Sequence, residues 1–319
     1  MFAFRALSRS VGRECTDIPN RKLSCFTFVP TSQKTDANPW HPHYHSRRTL
    51  ILEPLASEYV KLQKLHASDS GIIEVRLDRP ENKNAIDTKL MRGLKHVLEL
   101  IHEDSSANVA IFTSSVPGVY CAGADLKERK TFSVSEVREY SKVLRATFSY
   151  LEALPIPTIA AIEGAALGGG LELALACDFR ICGEDALLGL PETGHAIIPG
   201  AGGTRRLPRL VNKAIAKDII LRGRRVGGKE AESIGLVNYC VAAGEAYPKA
   251  LEVARDINDK GPVAIRAGKR AIEEGLLVND STEAQDLEED CYEMTLNTND
   301  RLEGLAAFVE KRKPIYKGQ

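Results

Sequence analysis

The stretch PTIAAIEGAALGGGLELALACDFR, Pro157 to Arg180, decides the fold. It reads as an apolar strand (PTIAAIEG), a glycine turn, a short helix opening near Gly169, and the beginning of a further strand in DFRICG. Glycines at a strand-to-helix turn let another group approach the backbone closely. The first amides of such a helix have no internal acceptor and sit at its positive end, so the turn stabilises negative charge on a phosphate or a forming oxyanion. Glu172 falls in the first helical turn after Gly169. Burying an ionised glutamate is costly and glycines weaken a helix, and departures from local rules of this kind mark functional positions. Alone, the segment fits equally well a close-packed glycine crossing in which Glu172 is a favourable first-turn acid. It carries neither the lysine of a GxxxxGK[ST] loop nor a GxGxxG pattern with a following acidic residue, which argues against a phosphate cradle.

Working outward, strand-like and helix-like segments alternate from Gly71 onward. GIIEVRLDRP is a β-branched alternating run stopped by proline. DTKLMRGLKHVLELIHED has helical apolar spacing with Asp87 as its cap, and NVAIFTSS is a buried-strand run. SVSEVREYSKVLRATFSYLEAL opens with a Ser-x-x-Glu capping box at Ser133 and Glu136. Strands separated by helices predict an α/β fold with both sheet faces covered. After about Lys213 the strand signal fades. KAIAKDIILRG, GKEAESIG, AYPKALEVARDINDKG, PVAIRAGKRAIEEG and STEAQDLEEDCYEMTLNTNDRLEGLAAFVEKR all read as helices.

Composition narrows the function class. The 319 residues are 43% hydrophobic and 27% charged, with 43 basic and 43 acidic side chains. A net charge of zero gives no global pull toward nucleic acid or membrane. No apolar run approaches the roughly 20 residues of a membrane span. The 7 cysteines are scattered without a CxxC pair, which reads as reduced thiols and not a disulfide framework or zinc site. The first fifty residues differ from the rest: Arg5, Arg9, Arg13, Arg21, Lys22, Lys34, Arg47 and Arg48 stand against Glu14, Asp17 and Asp36. Arg-rich, Ser-rich and acid-poor composition predicts a mitochondrial transit peptide over residues 1–50, ending near SRRTL.

Two further segments supply candidate chemistry. In ALLGLPETGHAIIPGAGGTRRL, Glu192 follows a proline in a loop that ends in GAGG. Two glutamates on separate elements, Glu172 and Glu192, suit acid–base work on one small molecule. His195 in the same loop has no partner in the sequence and reads as structural. In VPGVYCAGADLKER, the amide of Ala124 lies where a strand has ended, and can face the same point as that of Gly169. Asp125 also fits as the cap of the next helix. Cys121 adjoins this segment without an evident base, so a nucleophilic role is not assigned to it.

From about Gly71 to the C-terminus the chain resembles the enoyl-CoA hydratase/isomerase (crotonase) family. The resemblance is carried by RPENKNAI, CAGADLKE, PTIAAIEGAALGGGLELALACD, LGLPETGHAIIPGAGGTRRLPR and DRLEGLAAFVEKRKPIYKG. It implies an α/β spiral of ββα units with a helical C-terminal trimerisation region, hence a core over 51–255 and an oligomerisation region over 256–319. It implies that the amides of Ala124 and Gly169 polarise a thioester carbonyl. Glu172 would activate the water that attacks C3 of a 2-enoyl-CoA, and Glu192 would protonate C2. CoA contacts are implied at Lys83, Ala85, Ile86, Ala122, Ala124, Asp125, Leu126, Lys127, Gly168, Gly169 and Gly200. The basic tail FVEKRKPIYK resembles the family's C-terminal contribution to the CoA phosphate pocket, and fits equally a solvated charged tail. Presence of both glutamates favours hydration over Δ3-Δ2 isomerisation or hydrolysis of a hydroxyacyl-CoA. The resemblance further implies a homo-oligomer, a trimer or a dimer of trimers, in the mitochondrial matrix, with acyl-CoA as substrate and no metal or redox cofactor. An RNA-binding relative presents lysines on the helix that here holds Thr88, Arg92 and His96. With one certain cation among those three, nucleic-acid binding is the weaker expectation.

Overall fold

The computed structural model describes residues 57–278 and 280–319, which fall within one compact unit. The expected transit peptide lies outside the described residues. Strands β1 (Val60–Lys64) and β2 (Ile72–Leu77) lead into α1 (Thr88–Glu103), followed by β3 (Val109–Ser114), β4 (Val119–Cys121), the short α2 (Leu126–Arg129) and α3 (Val134–Glu152). The glycine segment then gives β5 (Thr158–Ile162), β6 (Ala165–Leu167) and α4 (Gly169–Leu175), with β7 (Phe179–Gly183) and β8 (Leu187–Gly189) after it. The remainder comprises α5 (Gly203–Leu210), α6 (Lys213–Leu221), β9 (Arg225–Gly227), α7 (Gly228–Ser233), β10 (Tyr239–Val241), α8 (Ala246–Asn258), α9 (Pro262–Gly275), α10 (Ser281–Leu296) and α11 (Asn299–Glu310).

Ten strands form two sheets among the described residues, a six-stranded one ordered β1-β2-β3-β5-β7-β10 and a four-stranded one ordered β4-β6-β8-β9. From β2 to β10 the larger sheet is parallel, and only β1 runs antiparallel to its neighbour. Its central strands β2, β3 and β5 are buried on both faces. Ile72, Val109, Ile111, Ile159, Ala161 and Ile181 pack against Ala246, Ala250 and Ala254 of α8. Val75, Ala110, Phe112, Ala160 and Ile162 belong to the main core with α1, α3 and the smaller sheet. Two-sided burial is what a parallel sheet covered by helices requires, and it explains the near-continuous apolar runs.

The expected start signals operate as read. The Asp87 carboxylate accepts from Leu90 N at 2.7 Å. Ser133 and Glu136 close a reciprocal capping box on α3. Three features depart from the sequence reading. Strands β9 and β10 lie beyond Lys213, where only helices were expected, and each is three residues long, too short for an alternating pattern. The last expected helix is two, because Thr298 leaves helical geometry and caps α11 through Arg301 N. The boundary set at 255/256 falls inside α8, which packs on the parallel sheet, so no structural break occurs there. Helices α9 to α11 leave Ile272, Leu276, Leu277, Leu302, Phe308 and Val309 exposed.

Candidate active site

Three neighbouring parallel strands of the smaller sheet build the site. Cys121 of β4 pairs with Ala166 of β6, and Leu167 of β6 with Gly189 of β8. Parallel strands end at one edge, and ligands bind at the carboxyl ends of such strands. The segments that leave β4, β6 and β8 are therefore delivered side by side: Ala122–Ala124, Gly168–Gly169 and Pro191–Glu192. The spacing between them in sequence is irrelevant once the strands are in register.

Glycine is required where these segments cross. A Cβ on Gly170 would lie 2.1 Å from the carbonyl oxygen of Cys121, and one on Gly123, at φ +93°, would lie 2.7 Å from that of Leu167. The two backbones thus touch without side chains between them. A Cβ on Gly169 would come 3.5 Å from Ala124 N, so the amides of Ala124 and Gly169 are close neighbours. Ile86 forms a parallel bridge with Ala124, donating from its N to Gly123 O at 2.7 Å and accepting from Asp125 N at 2.9 Å. That bridge consumes the groups on either side of Ala124 and turns its own N–H away. Among the described residues neither Ala124 N nor Gly169 N donates to a protein acceptor. Both line the same cavity, of about 130 Å³. Two unpartnered donors converging on one space are the arrangement that binds developing negative charge on oxygen.

Glu172, one turn into α4, is 3% exposed. Its Oε1 accepts from Ala201 N and Gly203 N, each at 2.8 Å. Burial raises its pKa, while those two amides and the cations Arg206 and Arg145 oppose the rise. Glu192 opens a 3₁₀ turn, Glu192–His195, where a plain loop was expected. Burial, with Glu172 adding like-charge repulsion, pushes its carboxyl up to about 7. Its Oε2 is buried without a partner among the described residues. The two carboxyls therefore differ by environment: one is held by two loop amides, the other is desolvated with one oxygen unpartnered.

Of the residues singled out in the sequence, Ala122, Ala124, Leu126, Gly168, Gly169, Glu172, Glu192 and Gly200 line this cavity. His195, read as structural, lines it as well. Lys83, Ala85, Ile86, Asp125 and Lys127 do not. Lys83 is exposed in left-handed backbone at φ 53°, beside the cavity-forming segment through its carbonyl, which accepts from Ala122 N at 3.1 Å. The carbonyl of Ala85 accepts from Arg79 Nη1 at 2.6 Å. Ile86 is fully buried under the Ala124 bridge. The Asp125 carboxylate turns inward, capping α2 through Lys127 N and Glu128 N and pairing with Arg79 Nη1 at 3.0 Å, which is its capping alternative. Lys127 is exposed on α2. The C-terminal tail folds back on α11: Asp300 accepts from Lys317 N and Gly318 N, each at 2.7 Å, and Glu303 pairs with Arg312.

Several contributors escaped sequence reading. Arg79 is 6% exposed and joins Asp87 to Asp125, tying the start of α1 to the start of α2. Asn84 reaches Tyr120 O at 2.9 Å, and Tyr140 donates to Ile86 O at 2.6 Å. Tyr140, Ser141 and Leu144 of α3, with Ile197 and Ile198, complete an apolar wall. One signal was available: a tyrosine and a leucine four apart on the inward stripe of α3.

Comparison with known proteins agrees with this geometry. Residues 67–319 match the family model described as enoyl-CoA hydratase/isomerase. The chain is 61% identical over 271 residues to "Probable enoyl-CoA hydratase 2, mitochondrial" of Arabidopsis thaliana, covering 85% of this chain and 90% of that protein. It is 44% identical over 277 residues to "Methylglutaconyl-CoA hydratase, mitochondrial" of Homo sapiens, covering 86% and 81%. The crystal structure of an enoyl-CoA hydratase from Bacillus anthracis superposes with a TM-score of 0.79 at 44% identity, over 82% of this chain and all 100% of that one. On its sequence, its fold and the span of both matches, the chain belongs to the enoyl-CoA hydratase/isomerase family.

Proposed function

We propose that the protein adds water across the 2,3 double bond of a 2-enoyl-CoA thioester to give a 3-hydroxyacyl-CoA. The observation that carries this reading is the pair of unlike carboxyls, Glu172 and Glu192, on the wall of a cavity that also holds two unpartnered amides. The thioester carbonyl accepts from Ala124 N and Gly169 N, which draws electron density from the double bond toward oxygen as an enolate forms. Glu172 takes a proton from water as the water oxygen bonds to C3. Glu192, held protonated near neutrality, gives its proton to C2 as the enolate collapses. Atoms balance: one water is consumed, and the two carboxyls end with their protonation exchanged before solvent resets them. Removing one oxyanion donor from comparable sites costs about 3 kcal/mol of barrier, so the paired amides are the larger electrostatic contribution.

The CoA portion in this reading runs past Lys83, Ala85 and Ile86 and the Asp125–Lys127 turn. The exposed apolar faces of α9 to α11 serve as contacts of a homo-oligomer. The mitochondrial names of its relatives support a mitochondrial protein, and the basic leader composition supports delivery to the matrix. No metal or redox cofactor takes part.

One spectrophotometric experiment tests the reaction. With crotonyl-CoA the enoyl-thioester absorbance falls while no free thiol appears; release of thiol would make the protein a hydrolase. Running 3-methylglutaconyl-CoA beside it ranks a simple enoyl-CoA against the substrate that one group of relatives carries in its name.

The pH profile is a second check. Glu192 must be protonated to act as the acid, and its carboxyl sits at about 7. Raising the pH through that value removes the proton, so kcat/KM falls up to tenfold per unit on the alkaline side. On the acid side the rate falls as Glu172 takes up a proton and ceases to be a base. Initial rates measured between about pH 5 and 9 should trace this bell. A rate that climbs steadily above neutrality would remove Glu192 as the proton donor.

A further inference from the structure

Two arginines stand behind the loop that grips Glu172. The peptide joining Gly200 to Ala201 gives its N–H to Glu172 Oε1 at 2.8 Å and its carbonyl to Arg145 Nε at 2.9 Å. The next carbonyl, that of Ala201, accepts from Arg206 Nη1 at 2.9 Å. Arg206 is itself pinned by Glu152, Nε to Oε1 and Nη2 to Oε2, each at 2.9 Å. The N–H and C=O of a trans peptide point to opposite sides, so Arg145 lies across the loop from the carboxylate it serves. Gly202 completes the arrangement. It stands at φ +117°, and a Cβ there would meet Arg206 Nη1 at 2.0 Å, so glycine is what allows the guanidinium to lie against the loop.

Other charged and titratable groups surround Glu172. Arg129 comes from α2, Tyr140 from α3, and Glu192 and His195 from the 3₁₀ turn, all lining the cavity. Tyr120 and Cys121 of β4 are fully buried with their pKa values raised, so both stay neutral at working pH. Glu192, when ionised, disfavours charge on Glu172 by mutual repulsion. Arg206 and Arg145 are the cations that favour it, and Arg206 is 4% exposed, where a charge is weakly screened.

We propose that Arg145 and Arg206 are positioning residues: they clamp the carbonyls of Gly200 and Ala201 so that the loop amides stay aimed at Glu172, and supply the positive charge its carboxylate needs to serve as the base. The proposal rests on the hydratase reading above. Polarising a peptide through its carbonyl strengthens the hydrogen bond its N–H makes, so Arg145 and the Ala201 amide act as one unit, while Arg206 fixes the adjoining Ala201 carbonyl and with it the turn that presents Gly203 N. Glu152 is the anchor of that unit, holding the Arg206 fork in the bidentate geometry a lysine cannot reproduce.

The test uses the full chain and crotonyl-CoA. Wild type and Glu172→Gln come first: an inactive wild type overturns the hydratase reading, an active Glu172→Gln removes Glu172 as the base, and the proposal falls in either case. With that reading standing, Arg145→Gln is informative because the side chain is exposed and its hydrogen bond goes to the loop carbonyl in question. Its acid limb of kcat/KM should move upward by about half a pH unit, with KM little changed and kcat reduced most at the acid end. Arg145→Lys should return the limb toward wild type. Arg206 is buried, so Glu152→Gln stands in for its removal; it leaves the guanidinium but unpins it, and kcat should fall several-fold at constant KM. The proposal is overturned if Arg145→Gln and Glu152→Gln both give pH profiles superimposable on wild type, whatever their melting temperatures. A rise in KM at constant kcat overturns it as well, since that would mark substrate contacts.

Discussion

Glu172→Gln and Glu192→Gln should each lower the turnover of crotonyl-CoA by about 10³-fold while leaving its binding nearly unchanged. Glutamine keeps the shape of each side chain and, at position 172, keeps an oxygen for Ala201 N and Gly203 N. What it removes is the proton traffic. In Glu172→Gln the water has no base; in Glu192→Gln the carbon has no acid of suitable strength. Because the two groups serve one addition, the double variant should lose little more than either single variant. Steady-state kinetics with binding measured separately, by quenching or calorimetry with a saturated acyl-CoA, gives both numbers. Near-wild-type turnover in either variant would take that glutamate out of the mechanism.

Gly170→Ala should be the most damaging of the small substitutions. The added methyl would sit 2.1 Å from Cys121 O and 2.8 Å from Cys121 C, both of them backbone atoms of the last residue of β4. Backbone held in a sheet has no rotamer with which to withdraw, so the strain is relieved only by prying β4 from α4. Overpacking of this kind costs about 3 kcal/mol or more, corresponding to a fall in Tm of about 8 °C for a unit of this size. The same displacement separates Ala124 N from Gly169 N, so residual folded protein should also be slow. Gly227→Ala is a fair control, since no atom lies within 4 Å of its would-be Cβ. Equal melting temperatures for the two variants would contradict the close crossing.

What the sequence showed best was local. The caps at Asp87 and Ser133, the helix start at Gly169 and the apolar strands are each written within a few consecutive residues, where backbone chemistry leaves its mark. The two glutamates were legible for the same reason, each being an acid set against glycine-rich turns. Arg79 was not legible: its partners Asp87 and Asp125 lie 8 and 46 positions away, and nothing near an arginine announces a distant carboxylate. Asn84 and Tyr140 escaped for that reason too. Arg206 left a fainter trace, lying with Gly203 and Leu207 on the buried stripe of α5, where a charged residue calls for an explanation. Asp125 was legible in one of its two readings: the turn chemistry of the sequence suggested the cap that its carboxylate makes on α2.

The main-chain crossing of β4 and α4 has a consequence for how this enzyme can change. The two donors proposed to hold the thioester oxygen are peptide nitrogens, which every amino acid but proline possesses, so substitution rarely deletes them, and Gly123 and Gly170 beside them tolerate no enlargement. Selection must therefore act on the enclosure: Leu126, Leu144, Ile197 and Ile198 are ordinary side chains, free to widen, narrow or polarise the space beyond the proposed donors, whereas Tyr140 is tied to Ile86 O. Divergence in acyl preference should concentrate at those four positions, and a library restricted to them is the economical route to a new substrate.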